Sequence, residues 1–262
     1  MRRSAVAGQF YPGTERELRR LIGQLAPKQA KEKIKACGVV VPHAGYIYSG
    51  AVAADVYASI EGAQTFVLLG PNHYMTGSAV AVSEESWSTP LGIVDVDIDL
   101  VKRLDGIIDH DEAAHRSEHS IEVQVPFLQY FFRDFKIVPI AIGMQDYDTV
   151  KEVASELIRA LEGYDKSVVI VASSDFTHYE DVAVAKKKDS LLIKDIEGLN
   201  VPGLYDDIYR MNATCCGYGP ISAMIMTCVA RGAKKGELLK YATSGDVTGD
   251  RQVVGYAGIA VV

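Results

Sequence analysis

Short, nearly continuous apolar runs recur along this chain, each followed by a longer segment of mixed polarity. "GVVV", "TFVLL", "KIVPIAI" and "SVVIVA" hold too few polar residues for strands with one wet face. Such runs suit strands covered on both sides, which is the environment of a parallel sheet flanked by helices. The pattern predicts strands at Cys37–Val41, Thr65–Leu69, Ala79–Val82, Ile93–Val96, Lys136–Ile142, Ser167–Ala172, Leu238–Thr243 and Tyr256–Val261. It predicts helices at Thr14–Leu25, Ser49–Ser59, Ser120–Phe132, Asp148–Leu161, Ala183–Ile196 and Pro220–Ala230. Thr14 and Glu17 are spaced as a capping box for the first helix. The alternation implies an α/β sandwich around a mostly parallel or mixed central sheet. No Gly/Ser linker, repeat or low-complexity segment divides the 262 residues, so a single domain over 1–262 is expected. The polar stretch Lys28–Lys35 reads as a connection between the first helix and the first strand.

Bulk properties narrow the function classes. A formal charge of -7 argues against a nucleic-acid binder, which needs clustered cations for phosphates. The one basic run, Lys186–Lys188, reads as the solvated face of a helix. No apolar run reaches the about 18 residues that span a bilayer. Arg2 and Arg3 lack an apolar stretch behind them, so no secretory signal is expected. Cys37, Cys215, Cys216 and Cys228 are too few for a disulfide framework, which fits a reducing cytoplasm.

Three of the six histidines follow predicted core strands. His43 follows "VVVP", His73 follows "LLGPN", and His178 follows "VASSDFT". In open α/β sheets, ligands bind at the carboxyl ends of the strands. If these strands are parallel neighbours, their loops converge and the imidazoles meet. Neutral imidazole is a metal ligand and also a general acid/base suited to neutral pH. Gly45 and Gly50 are expected to let the backbone turn sharply, aiming His43 into a cleft. "HRSEHSIE" spaces His115, His119 and Glu122 along one helical face. It lacks the glutamate directly after the first histidine that zinc proteases use, so His119 and Glu122 read as polar lining of a site built elsewhere. "NATCCGYGP" places Cys215 and Cys216 just ahead of a predicted helix. A cysteine there is either a small buried hydrophobe or a thiolate favoured by the helix amino terminus.

"AVAGQFYP", "PHAGYIYSG", "LGPNH", "STPLG", "EHSIEVQVPFLQ", "SSDFTHY" and "CGYGP", in this order, resemble the Memo family. In archaea and bacteria this is also the AmmeMemoRadiSam system protein B family, similar in fold to class III extradiol ring-cleaving dioxygenases. The resemblance implies an α/β fold with a cleft at one sheet edge. It implies metal ligation by His43, His73 and Cys216, with His178 beside the metal in proton transfer. His119 and Glu122 are expected near the cleft as further catalytic residues, and Phe10 and Tyr48 as aromatic lining. Ring-cleaving dioxygenases hold Fe(II) with two histidines and a carboxylate, whereas the third ligand that the resemblance implies here is a thiolate. That softer donor admits copper and zinc beside iron.

Two functions compete on these grounds. One is a metal-dependent redox enzyme, with Fe(II) first, copper second and zinc third as its ion. The other is a signalling or adapter protein that binds a peptide or small molecule in a retained dioxygenase cleft. The family name also implies a functional link to radical-SAM and AMMECR-like proteins.

Overall fold

The computed structural model describes residues 1–29 and 32–262; the expected Lys28–Lys35 connection falls in part on residues 30 and 31, outside the described residues. Eleven strands are described: β1 (Gly38–Val41), β2 (Thr65–Pro71), β3 (Val80–Val82), β4 (Trp87–Thr89), β5 (Gly92–Val94), β6 (Asp109–His110), β7 (Lys136–Ile142), β8 (Val168–Ser173), β9 (His178–Asp181), β10 (Gly236–Thr243) and β11 (Gln252–Val261). The helices are α1 (Glu15–Leu25), α2 (Tyr46–Ser59), α3 (Ile98–Val101), α4 (Val125–Phe131), α5 (Tyr147–Leu161), α6 (Val182–Glu197), α7 (Val201–Met211), α8 (Tyr218–Ala230) and α9 (Gly245–Thr248).

Nine strands form one mixed sheet in the order β10-β11-β1-β8-β2-β7-β3-β6, with β9 paired to β11. Its centre, β1-β8-β2-β7, is parallel throughout. Every residue of β1, β2 and β8 is buried, as their unbroken apolar runs require. Val39, Val40 and Val41 are wholly shielded, each contributing roughly 1.5–3 kcal/mol of apolar burial. Antiparallel β11 and β10 close one side, and antiparallel β3 continues the other.

Helices cover both faces. Gly38 of β1 packs under Met224 and Cys228 of α8, and Gly258 of β11 packs under Val52 and Val56 of α2. A side chain at either glycine would collide with the helix above it. Helix α2 is buried on nearly all sides, while α1 buries only Leu18 and Ile22, one turn apart.

The local chemistry departs from expectation in four places. Thr14 does not cap α1; its hydroxyl donates to the Glu17 carboxylate instead, at 2.7 Å. The helix expected from Ser120 begins as a 3-10 turn at Glu122 and becomes α-helical only at Val125. Helix α7 is not among the predicted helices; Pro202 and Gly203 lie in its first turn, where proline is tolerated. The short strands β4, β6 and β9 carry no alternating apolar pattern.

A candidate metal centre at the carboxyl edge of the sheet

Strands β1, β8 and β2 are parallel neighbours, so the loops after them open at the same edge. His43 leaves β1, Asp175 and His178 leave β8, and His73 leaves β2. They line a cleft of about 510 Å³ together with His119, Phe10, Tyr48, Tyr179 and Tyr256. The His43 ring lies 5.2 Å from that of His73 and 5.6 Å from that of His119, and the His73 and His119 rings stack at 4.7 Å.

The tautomer of His43 follows from its partner. The Ser173 hydroxyl has one hydrogen, and it donates to the Ser120 carbonyl at 2.6 Å. Ser173 Oγ therefore accepts from Gln124 at 2.8 Å and from His43 Nδ1 at 2.9 Å. The proton of neutral His43 sits on Nδ1, leaving the Nε2 lone pair free. Burial, and then the neighbouring imidazoles of His73 and His119, hold the ring neutral by pushing its pKa well below the ordinary value. Cys216 Sγ lies 3.1 Å from that Nε2, so the thiol donates to it.

Glu118 does the same for His73. Its carboxylate accepts from His73 Nδ1 at 2.9 Å and from the backbone N–H groups of His73, His119 and Ser120. These bonds and the adjacent imidazoles overcome burial and hold its pKa down at about 2. His73 thus presents Nε2 outward. His178 donates Nδ1 to the Thr214 carbonyl at 2.8 Å, which leaves its Nε2 free as well. Strand β9, which begins at His178, pairs with β11, and this ring lines the cleft wall.

Donor atoms of His43, His73 and Cys216 all lie within 4.8 Å of one another. His73, Glu118 and His119 form a second such group. The first is the better cation site, because the Glu118 oxygens are already committed to four N–H donors. His119 Nδ1 sits 3.3 Å from Glu118 but lacks a hydrogen bond, and its ring is held between Phe10 and His73.

Three expectations change here. Glu122 does not line the cleft. It is fully buried and accepts from Arg2, Tyr11 and the backbone of Ala5 and Val6, stapling the amino-terminal segment to the core. Arg2 adds bonds to the carbonyls of His115 and Glu118 and stacks 4.1 Å from Trp87. Gly45 and Gly50 do not turn the chain by left-handed geometry. Gly45 precedes α2 at φ -53, and Gly50 lies inside α2, where a Cβ would meet Leu25 at 2.7 Å. The α8 amino terminus does not ionise Cys216; burial, then the Asp175 carboxylate, push that thiol well above its ordinary pKa. His115, left out of the site, is buried against Trp87 and bonds the Ala81 carbonyl.

Residue reading by sequence missed Ser173, Glu118 and Asp175. Asp175 accepts from the His43 and Ala44 N–H groups, and burial raises its carboxyl above the usual range. Both acids stand beside the motif histidines in "SSDFTH" and "SEHS", which is the signal that was there to use.

Residues 2–260 match the family described as Memo-like protein. The chain belongs to the Memo family. A MEMO1 family protein of Methanosarcina acetivorans is 53% identical, covering 100% of this chain and 99% of that one. A MEMO1 family protein of Archaeoglobus fulgidus is 47% identical, covering 99% and 98%. Among solved structures, an uncharacterized protein of Escherichia coli K12 superposes with a TM-score of 0.56 at 12% identity, covering 87% of this chain and 100% of that one. That likeness concerns the fold: a mixed central sheet between helices, as the Memo resemblance implied. Among the described residues no helix is long and apolar enough to cross a membrane.

Proposed function

We propose that this Memo family chain is a metal-dependent redox protein, a non-heme iron oxidoreductase related to the extradiol dioxygenases, with copper as the alternative ion. One observation carries the reading: two imidazoles with their lone pairs fixed outward and one cysteine sulfur converge within 4.8 Å at the carboxyl edge of the sheet. The donor set suits a soft or borderline transition ion, and His43, His73 and Cys216 would hold it. A bound iron or copper ion supplies one-electron chemistry and Lewis acidity, whereas zinc would supply the second alone.

The chain's own groups divide the remaining work. His178 takes or gives a proton at Nε2, because Nδ1 is committed to Thr214. His119 forms the polar wall beside His73, while Phe10 and Tyr48 offer aromatic surface to an organic substrate. Elemental analysis of anaerobically purified protein tests the reading. About one iron or copper per chain is expected, and His43→Ala or His73→Ala removes it. Metal-free protein that binds none of these ions more tightly than micromolar overturns it. The open aromatic rim also suits a peptide or small-molecule ligand without catalysis, with Tyr179 markedly exposed. Calorimetry with a chelator separates the two: peptide binding that survives metal removal favours the adapter.

A further inference from the structure

Away from the cleft, two cysteines and one arginine meet where β1 begins and α8 ends. Cys37 directly precedes β1, and its backbone is tied on both sides, to Val261 and to Ile170. Cys228 lies in the last turn of α8, fully buried, and packs on Gly38; a Cβ there would fall 2.9 Å from Cys228 Sγ. Cys37 sits directly before Gly38, so the Cys228 sulfur stands beside it and the two thiols interact. From the other side, the Arg231 guanidinium reaches Cys37 Sγ at 3.6 Å and the Val168 carbonyl at 3.5 Å. Cys37 is half-buried, so a small reagent reaches it, while Cys228 is shielded. The two thiols are therefore unequal. One is accessible and faces a cation; the other is buried behind it. The Cys228 thiol and the cation bring the Cys37 pKa down to about 7, and burial holds Cys228 well above the ordinary value.

We propose that Cys37 and Cys228 are a peroxide-sensitive thiol pair, in which Cys37 is oxidised by a hydroperoxide and Cys228 closes the disulfide. In the first step the Cys37 thiolate attacks one peroxide oxygen. The S–O bond forms, the O–O bond breaks, and the leaving hydroxide or alkoxide takes a proton from solvent. In the second, Cys228 sulfur attacks the sulfenic acid. The S–S bond forms, the S–O bond breaks, and the departing hydroxide leaves as water with the Cys228 proton. The two sulfurs lose two electrons in total, and the hydroperoxide gains them. Arg231 stabilises the attacking thiolate and takes no part in the bond changes. Nothing in this step uses the histidine cleft.

The test uses the full chain, stripped of metal by chelator and treated with stepwise hydrogen peroxide. After thiol blocking, non-reducing peptide mapping identifies the bridged residues. The first disulfide is expected to join Cys37 to Cys228. Cys228→Ser is expected to leave a Cys37 sulfenic acid that dimedone traps. Independently of that core substitution, iodoacetamide labelling of native Cys37 is expected to titrate near pH 7. Surface substitution Arg231→Gln should slow it about fivefold at that pH, the fall in thiolate fraction for a rise of one pKa unit. Oxidation that falls first on Cys215 or Cys216 overturns the proposal, and so does a Cys37–Cys228 bridge that never forms. Labelling of Cys37 that titrates like an ordinary thiol and ignores Arg231 overturns it equally.

Discussion

Strand β1 and helix α8 meet a cysteine at both ends of their shared packing, and the two ends treat sulfur in opposite ways. At the carboxyl end of β1, Cys216 stands ahead of α8 and donates to His43 at 3.1 Å. At the amino end of β1, Cys37 faces the end of α8, with Arg231 at 3.6 Å. Burial and the Asp175 carboxylate keep Cys216 protonated, while the Cys228 thiol and Arg231 ease Cys37 toward the thiolate. A buried thiol that only a strong Lewis acid can deprotonate suits a metal ligand. A half-exposed thiol that ionises near neutrality suits a nucleophile. Residue type is the same; the charge and dielectric around it decide the chemistry.

The largest effect that tests this contrast is the metal content itself. Cys216→Ser should abolish stoichiometric iron or copper, whereas Cys37→Ser should retain it, as elemental analysis after dialysis would reveal. Equal loss in both variants would mean the two ends are not separate sites.

A smaller effect is expected at Ser173. Ser173→Ala removes the acceptor that holds the His43 proton on Nδ1. Metal affinity should fall about tenfold to hundredfold, the usual cost of losing such a partner, as measured by competition with a chromophoric chelator. Unchanged affinity would show that the tautomer is not set by this hydroxyl.

The pH dependence comes next. Cys216 titrates well above its ordinary range and His43 well below its own, so between pH 6 and 8 the free site carries one thiol proton and no imidazolium at His43. Metal binding then expels that proton, and apparent affinity should rise about tenfold per pH unit across this window. A pH-independent affinity would contradict a thiolate ligand. Cys37 should instead change its labelling rate across the same window, since its thiol titrates at about 7.

The smallest change is expected for Asp175→Asn. Removing the negative charge beside Cys216 lowers its pKa, so alkylation of metal-free protein at pH 8 should rise about two- to fivefold. Cys37 labelling in that variant should stay as it was.

Much of the frame was legible before any coordinate. Strand β7 spans Lys136–Ile142 as predicted, and the predicted β1, β2 and β8 strands begin and end within two residues of those observed. Their apolar runs mark two-sided burial, a property each segment carries within itself. The placement of His43, His73 and His178 just past core strands was equally local, and parallel pairing of β1, β8 and β2 brought the same ends together. The clamp was not legible: Glu122 binds Arg2 from 120 positions away, and nothing near either residue names the other.

The amino-acid order by itself determined which segments must be buried and which chemical groups follow them, because apolar periodicity and turn chemistry act over a few neighbouring residues. Only the tertiary structure decided that Ser173 and Glu118 orient the two imidazoles, that Glu122 serves the amino terminus, and that Cys37 meets Cys228 and Arg231. Those pairings depend on strand order and on which helix crosses which strand, and hydrogen-bond partners and local fields arise only once distant backbone segments are packed against one another.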